Sequence, residues 1–290
     1  MCVIEVYHWE ESGELLRIMS GYLPKIDKKI AQGNTAEVFD FGENRVLKLF
    51  REGISSDSIE REYINSKIAA TNLTQVPSVF EMSDYEGRLG IVFQKVMGTD
   101  MLKLILSKPM KLTFYLKRFA SYHSKINIPV SDDMRTVVEK LSDEIGWEND
   151  LTDDEKNKVK DCLSKLPQGN FLCHGDFHPG NVIFSSDEAY FIDWMSACKG
   201  DLCSDVARTY LLLRFGEPMN VNRLILFFIR VLMYFGSGIY LREYCRLTGV
   251  RKDSVEEWML PVAAARLSEW MTESERKKVI KFVRKQINNL

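Results

Sequence analysis

The first hundred residues alternate apolar and polar positions in short runs that predict β-strands. IAQGNTAEVFDF and RVLKLF, in residues 30–50, read as two strands joined by a turn at Gly42, Glu43 and Asn44. Two more strand-like runs, VPSVFEMSDY and GRLGIVFQKVMG, follow in residues 76–98 and are joined by Glu86 and Gly87. The first pair contains Gly33 in its opening strand or turn.

Two segments of this part show helical spacing instead. Residues 9–23 have apolar positions every three or four residues, which predicts an N-terminal helix that ends at Pro24. SSDSIEREYINSKIAAT, residues 55–71, begins with serines suited to an N-cap. Its predicted apolar stripe is Ile59, Tyr63, Ile64 and Ile68. The order strand, strand, helix, strand, strand predicts a small antiparallel sheet with one helix.

Beyond Gly98 the pattern becomes mainly helical. Four amphipathic segments follow, and the last of them begins at a capping pair, Thr152 and Glu155. A β-rich island (FLCHGD, NVIF, AYFIDW) comes next, and four or five helices from about residue 204 complete the chain. We therefore predict an α+β protein with a small N-lobe, residues 1–97, and a helical C-lobe, residues 98–290.

Composition and charge narrow the classes of partner. The chain has 290 residues, a net charge of −2, and Lys and Arg spread throughout, so the basic patch of a nucleic-acid binder is missing. The N-terminal residues lack the features of a signal peptide, and the six cysteines form no CxxC pair. We therefore predict a cytoplasmic protein that binds a small molecule and no nucleic acid; its oligomeric state stays open.

One apolar stretch, residues 224–241, approaches the length of a membrane span. Arg230 lies within it, and Gly236 and Gly238 interrupt it. These features favour a buried helix that breaks near the glycines, so we predict no membrane insertion.

The stretch FLCHGDFHPGNVIF holds the residues with the clearest chemical pattern. Asp176 and Asn181 are five positions apart, and Asp193 follows a second short strand. Two carboxylates and an amide on neighbouring strand ends suit phosphoryl transfer, which needs a carboxylate to orient a hydroxyl and oxygen ligands for Mg²⁺. Protein kinases carry a similar loop, H-R-D-x-x-x-x-N.

A zinc site is the alternative interpretation of this stretch. It would use Cys173, His174, Asp176 and His178. Neighbouring residues on a strand point to opposite faces, so Cys173 and His174 could not converge on one ion. Mg²⁺ bound together with a nucleotide is the better hypothesis.

HGDFHPGN together with FIDW resembles the aminoglycoside phosphotransferase and choline kinase family, small-molecule kinases with a protein-kinase-like fold. Further similar segments, in order, are GNTAEVFDFGENRVLKLF, IEREY, IVFQKVMG, YHSKI and GDLCSDVARTYLLL. The resemblance implies a bilobal fold, ATP and Mg²⁺ as cofactors, and a small-molecule hydroxyl as acceptor. It implies that Asp176 is the catalytic carboxylate and that Asn181 and Asp193 hold Mg²⁺.

The same resemblance implies a nucleotide site in the N-lobe. Lys48 would meet the α- and β-phosphates, although a lysine at a sheet edge could also extend to solvent for packing reasons alone. Glu62 would pair with Lys48; Glu60, its competitor, lies about 200° away around a helix. Gly33 and Asn34 would form the loop over the phosphates, although the full Gly-x-Gly-x-x-Gly pattern is missing. Adenine would meet the backbone from Gln94 to Val96.

Several neighbouring residues have predicted supporting roles. His174 is expected to brace the loop, and His178 either contacts phosphate or caps the turn at Pro179. Asp205 could simply cap the helix that follows, and the resemblance implies that it also braces the catalytic loop; Asp201 is the other acid of this segment. Gly175 replaces the arginine of protein kinases, which argues against control by a phosphorylated activation loop.

The sequence therefore predicts a phosphotransferase that acts on a small molecule, and its rival is a nucleotide-binding kinase-fold protein without catalysis. In residues 214–290 basic residues outnumber acidic ones, which disfavours a polycationic aminoglycoside as acceptor. Choline, ethanolamine, thiamine, a sugar, a macrolide and homoserine all stay open.

Overall fold

The computed structural model describes residues 28–33, 35–85, 87–131, 133–185, 188–217 and 222–290. The helix predicted over residues 9–23, and Asn34, lie outside the described residues. The chain divides into two compact units. The first contains the described residues up to Ser55 together with Val79–Lys95, and the second contains Ser56–Ser78 and Val96–Leu290. This division places the helix after Ser55 in the second unit.

The first unit is a five-stranded antiparallel sheet with the order β1-β2-β3-β5-β4. It has one strand more than predicted, because the first run forms two strands that are separated around Gly33. The predicted turn before the third strand is confirmed, and Gly42, Glu43 and Asn44 all have positive φ. The strands are β1 Lys29–Gln32, β2 Ala36–Asp40, β3 Arg45–Phe50, β4 Val79–Tyr85 and β5 Arg88–Gln94.

One face of this sheet is packed with apolar side chains. Leu47 is fully buried and Leu49 nearly so, and both contact a cluster that contains Phe41, Tyr85 and Val92. The Phe41 and Tyr85 rings meet edge to face, with 5.7 Å between their centroids. Since side chains alternate along a strand, the residue between the two leucines, Lys48, points to the opposite face.

The second unit is mainly helical, so the α+β prediction is confirmed. Its first helix differs from the prediction in the face that it buries. Ile59 of the predicted stripe is buried, but Ile64 is 46% exposed, and the polar residues Glu62, Asn65 and Ser66 are buried as well. The Asn65 side-chain amide donates to the carbonyl oxygens of Trp194 and Ala197, at 3.2 and 3.0 Å, and these bonds make the burial of a polar residue tolerable.

The other helices begin where their sequences supply caps. Thr136 with Glu139, and Thr152 with Glu155, form complete capping boxes, and the second of these was predicted. The helices of this unit are α1 Ser56–Asn72, α2 Met101–Ser107, α3 Leu112–Ile126, α4 Val137–Trp147, α5 Asp153–Leu163, α6 Leu202–Phe215, α7 Arg223–Thr248, α8 Lys252–Arg266 and α9 Glu273–Ile287.

The predicted β-rich island consists of two small sheets. One pairs β7 with β10, and the other has the order β6-β8-β9. All of these pairs are antiparallel. The strands are β6 Thr99–Asp100, β7 Phe171–Cys173, β8 Val182–Ser185, β9 Glu188–Phe191 and β10 Cys198–Gly200. The sequence missed β6 and β10, which are only two and three residues long.

Helix α7 corrects the prediction of a break near the glycines. It runs without interruption from Arg223 to Thr248. A Cβ on Gly236 would lie 2.6 Å from Leu116 Cδ1, so the glycine lets α3 and α7 approach closely. Among the described residues, Leu224–Thr248 is the helix long and apolar enough to cross a membrane. Only 33% of its apolar segment is buried within the protein, so the prediction of a buried helix is also wrong.

Candidate functional site

The candidate site lies in the second unit, on the loop between β7 and β8. The loop leaves β7 at Cys173 and enters β8 through a 3-10 helix, Pro179–Asn181. The Asp176 side chain is 31% exposed, so it can meet a substrate. The side-chain nitrogen of Asn181 donates to the backbone carbonyl of Asp176 at 3.0 Å, and it lies 3.5 Å from Oδ2 of the Asp176 carboxylate. The loop therefore brings the predicted base and the predicted metal ligand together.

The pairing of β8 with β9 places Asp193 beside this loop. Val182 pairs with Phe191, and the Ile192 amide donates to the Asn181 carbonyl at 3.1 Å, so Asp193 follows immediately. Asp193 has φ +69°, which is unusual for a residue other than glycine. Such strained backbone persists where the surroundings hold it, and it is concentrated at functional sites.

The side-chain oxygens of Asn181 and Asp193 are suitable ligands for Mg²⁺. Because the Asn181 nitrogen is directed at the Asp176 carbonyl, the amide oxygen is on the other side, and Asp193 supplies carboxylate oxygens. Oxygen ligands from one or two side chains are typical of Mg²⁺ that arrives with phosphates. Within the part of the chain that the structure describes, no three His, Cys, Asp or Glu side chains form a group that could hold a metal.

His174 joins the two segments that carry these residues. Its Nδ1 accepts the Asp176 backbone amide at 3.3 Å, and its Nε2 lies 3.1 Å from the Ile192 carbonyl oxygen. Since a backbone amide only donates and a carbonyl only accepts, the ring is neutral with its proton on Nε2. Burial lowers the pKa of His174 and outweighs the nearby carboxylates, which favours this state. The predicted bracing role agrees with this geometry.

Asp205 fixes the same loop from the interior of α6. Its carboxylate accepts the backbone amides of His174 and Gly175, both at 2.8 Å, and lies 2.9 Å from His123 Nε2. Burial by itself would raise the pKa of Asp205, but His123 and these hydrogen bonds outweigh it and keep the pKa well below its usual range. The capping role belongs to Asp201, which accepts the Cys203 amide at 2.8 Å.

Gly175 has a steric explanation in this structure. Its φ is +73°, and an added Cβ would lie 2.2 Å from the Ser196 carbonyl oxygen. No side chain fits there without moving the backbone. The absence of an arginine at this position is therefore required by the local backbone.

His178, which the sequence left open, caps the turn. Its Nδ1 accepts the Gly180 amide at 3.0 Å, and its Nε2 lies 3.6 Å from Asp176 Oδ2. The side chain is about one-third exposed (36%). His178 therefore fixes the turn and faces the Asp176 carboxylate at the same time.

The first unit holds Lys48 on the central strand of its sheet. Lys48 pairs with Val38 on β2 and Ile91 on β5, so it is not at a sheet edge. Lys48 is half-buried, and its place on a central strand excludes the explanation that it extends to solvent from a sheet edge. In the second unit, Glu62 is 1% exposed whereas Glu60 is exposed, which agrees with the choice of Glu62 as the inward-facing acid.

The remaining described residues predicted to bind the nucleotide are Gly33, Gln94 and Val96. The Gly33 amide donates to the Ala36 carbonyl at 2.8 Å, and a Cβ on Gly33 would make only an ordinary contact. Gln94 ends β5 in the first unit, and Val96 begins the next segment of the second. The proposed roles of Gly33, Gln94 and Val96 stay predictions.

Arg208 is a functional candidate that no sequence motif indicated. It lies on α6, is 9% exposed, and its guanidinium is 3.4 Å from Asp176 Oδ1. A buried arginine is unusual, but only the structure shows which carboxylates it meets.

Comparison with known proteins decides the family. A model of the phosphotransferase enzyme family matches residues 28–227, which is more than half of the chain. The chain belongs to the phosphotransferase enzyme family. The sequence matches no curated protein.

Solved structures of similar proteins support the same fold for this phosphotransferase family member. The aminoglycoside phosphotransferase APH(4)-Ia has a TM-score of 0.64 and 14% identity, covering 96% of this chain and 98% of that chain. A thermostable mutant of that enzyme in ternary complex with ADP and hygromycin B has a TM-score of 0.63 and 15% identity, with 95% and 97% coverage. Choline kinase from Cryptosporidium parvum has a TM-score of 0.55 and 12% identity, with 96% coverage of each chain. At these identities the likeness shows the fold, which is kinase-like as predicted.

Proposed function

We propose that the protein is an ATP-dependent kinase that transfers the γ-phosphate to a hydroxyl group of a small molecule. The observation that carries this proposal is the cluster of Asp176, Asn181 and Asp193. His174 holds the two segments of this cluster together, because its ring contacts the Asp176 amide and the carbonyl just before Asp193. Kinases need a base and two metal ligands in such proximity. The ADP complex of the similar aminoglycoside phosphotransferase supports an adenine nucleotide as donor.

In this proposal Asp176 acts as the base. One of its carboxylate oxygens accepts the proton of the acceptor hydroxyl while the hydroxyl oxygen forms a bond to the γ-phosphorus. The bond from that phosphorus to the bridging oxygen of ADP breaks, and ADP leaves with the electron pair. Asn181 and Asp193 would hold Mg²⁺, which, when bound, offsets the negative charge of the phosphates.

Nucleotide binding is assigned to the residues that the family resemblance implies. Lys48, on the face of the sheet that also bears Val38 and Ile91, would meet the α- and β-phosphates, with Glu62 as its partner. The loop at Gly33 and Asn34 would cover the phosphates. Gln94 to Val96 would bind adenine through the backbone. A cytoplasmic location agrees with these substrates and stays a prediction.

The test is the Asp176→Asn variant, assayed for ATP consumption with a panel of hydroxyl acceptors. We expect kcat to fall at least about 1000-fold, while a fluorescent ATP analogue still binds, because the amide keeps the shape but cannot accept the proton. Asp154→Asn is the matched control, since Asp154 is an exposed residue of α5. Unchanged turnover in Asp176→Asn would refute the proposal. Nucleotide binding without any transfer by the wild type would favour an inactive kinase-fold protein.

A further inference from the structure

Arg208 is the buried cation that approaches the proposed base. Its Nε donates to the Gly175 carbonyl at 3.1 Å, and its Nη2 lies 3.4 Å from Asp176 Oδ1. One planar guanidinium therefore contacts the peptide before Asp176 and the side chain of Asp176. Two contacts from one rigid group restrict both the backbone and the χ angles of the residue that they hold.

Glu269 holds this guanidinium from the other side. The two carboxylate oxygens meet Nη1 at 2.7 Å and Nη2 at 2.8 Å, which is a bidentate pair. Arg266 contacts the same carboxylate at 2.8 Å. Burial by itself would lower the pKa of Arg208, but Glu269 and Asp176 raise it, so Arg208 stays charged.

The two carboxylates hold Arg208 with unequal strength. The contact with Glu269 is 0.6 to 0.7 Å shorter than the contact with Asp176, from 2.7 and 2.8 Å against 3.4 Å. A strong pair therefore fixes the guanidinium, and a longer contact directs Asp176. A long contact leaves the Asp176 carboxylate able to accept a proton from a hydroxyl.

We propose that Arg208, anchored by Glu269, is a positioning residue that orients the Asp176 carboxylate for phosphoryl transfer. This inference rests on the proposed kinase function. It assigns Arg208 and Glu269 no contact with substrate; both act through Asp176. A displacement of about 1 Å in a reacting group can lower a rate about 100-fold, so a loose carboxylate would reduce kcat without weakening nucleotide binding.

The experiment measures kcat and the KM for ATP in Arg208→Lys, with the acceptor that gives the fastest turnover. Lysine keeps the charge but has no fork, so it cannot hold Gly175, Asp176 and Glu269 together. We expect kcat to fall about 10- to 100-fold and the KM for ATP to change less than about twofold. Arg284→Lys is the matched control, because Arg284 also contacts a carboxylate, that of Glu155 at 2.8 Å, and a backbone carbonyl, that of Asp150 at 3.0 Å. It should leave both constants unchanged.

A second variant keeps the inference testable if Arg208→Lys does not fold. Glu269→Gln leaves Arg208 in place and removes its charged anchor, and we expect kcat to fall about 3- to 10-fold at constant KM for ATP. In the double variant, Arg208→Lys with Glu269→Gln, the two decreases in kcat should not multiply, since both residues act through the contact between Arg208 and Asp176. Wild-type kcat in both single variants, or an equal change in kcat and KM, would overturn the positioning role.

The same assay separates this inference from the proposed function. Wild-type turnover that Asp176→Asn abolishes supports the kinase function whatever Arg208 does. With that result, normal kcat in the Arg208 and Glu269 variants overturns the positioning role alone. A wild-type protein that transfers no phosphate overturns both.

Discussion

The hydrogen bonds of the Asp205 carboxylate allow the cost of the Asp205→Asn substitution to be calculated. The carboxylate accepts four hydrogen bonds, and the substitution replaces one of its two oxygens by an NH₂ group. Oδ1 accepts the Gly175 amide at 2.8 Å. Oδ2 accepts the His174 amide at 2.8 Å, His123 Nε2 at 2.9 Å and Asn127 Nδ2 at 3.2 Å. Asparagine has a single oxygen, so its NH₂ group must face at least one of these donors.

The smallest loss keeps the oxygen at the Oδ2 position. The Gly175 amide then has no acceptor, which costs about 1–3 kcal/mol for a buried donor. The other three hydrogen bonds lose their charged acceptor, at about 1 kcal/mol each. We therefore expect Asp205→Asn to lower the free energy of unfolding by about 4 kcal/mol or more at pH 7, where the low pKa of Asp205 keeps the native carboxylate charged.

Urea denaturation followed by tryptophan fluorescence would measure this change. Trp194 is a suitable reporter, because its ring lies 4.5 Å from the His174 ring on the loop that Asp205 holds. Asp201→Asn is the matched control: Asp201 caps the same helix, and asparagine caps equally well, so we expect less than about 0.5 kcal/mol. A loss below about 1 kcal/mol in Asp205→Asn would refute the assignment of these hydrogen bonds.

Two further predictions concern the same loop. Because the pKa of His174 is lowered in the folded protein from its ordinary value of 6.5, its stabilisation is complete above about pH 6.5 and is lost as the pH falls toward the folded pKa. Below that pH, the difference in unfolding free energy between the wild type and His174→Gln should therefore shrink by up to about 1.4 kcal/mol per pH unit. A difference that does not change with pH would contradict a neutral His174 ring. Gly175→Ala should lower the free energy of unfolding by more than about 2 kcal/mol, since it adds a clash to the strain of positive φ. Gly249→Ala has the same strain, with φ +74° and open space around its Cβ, and should cost only about 1 kcal/mol in the same urea titration; equal losses would show that the clash is relieved.

The elements that the sequence predicted correctly are those whose determinants are local. The capping box at Thr152 and Glu155 needs only residues three positions apart, and the turn from Gly42 to Asn44 needs only its own backbone. Asp176 and Asn181 are close in space for a similar reason, since one short loop carries both. Asp193 joins them through the next hairpin, which the strand pattern also indicated.

The elements that the sequence missed depend on partners far along the chain. The buried face of α1 includes polar residues, and one of them, Asn65, donates to carbonyl oxygens 129 and 132 residues away. A local apolar pattern cannot reveal such hydrogen bonds. Helix α7 continues through Gly236 because Leu116 fills the space beside it, more than a hundred residues earlier. In both cases the local pattern predicted the helix, but contacts with residues distant in sequence decide which face it buries or whether it continues.

Asp201 and Asp205 show why the sequence can indicate that a residue matters more easily than it can indicate what the residue does. Both precede or begin the same helix, and both residue types suit a helix N-terminus. Asp201 has extended backbone, with ψ 130°, so its side chain turns back to the first turn and accepts the Cys203 amide. Asp205 is one helical turn later, already inside α6, and its side chain points toward the backbone amides of His174 and Gly175. If the helix began one turn later, Asp205 would stand near its N-cap instead of Asp201, so the role of each carboxylate depends on where α6 begins. Strand β10 ends at Gly200, directly before Asp201, and its three residues are too few to predict that position from the sequence.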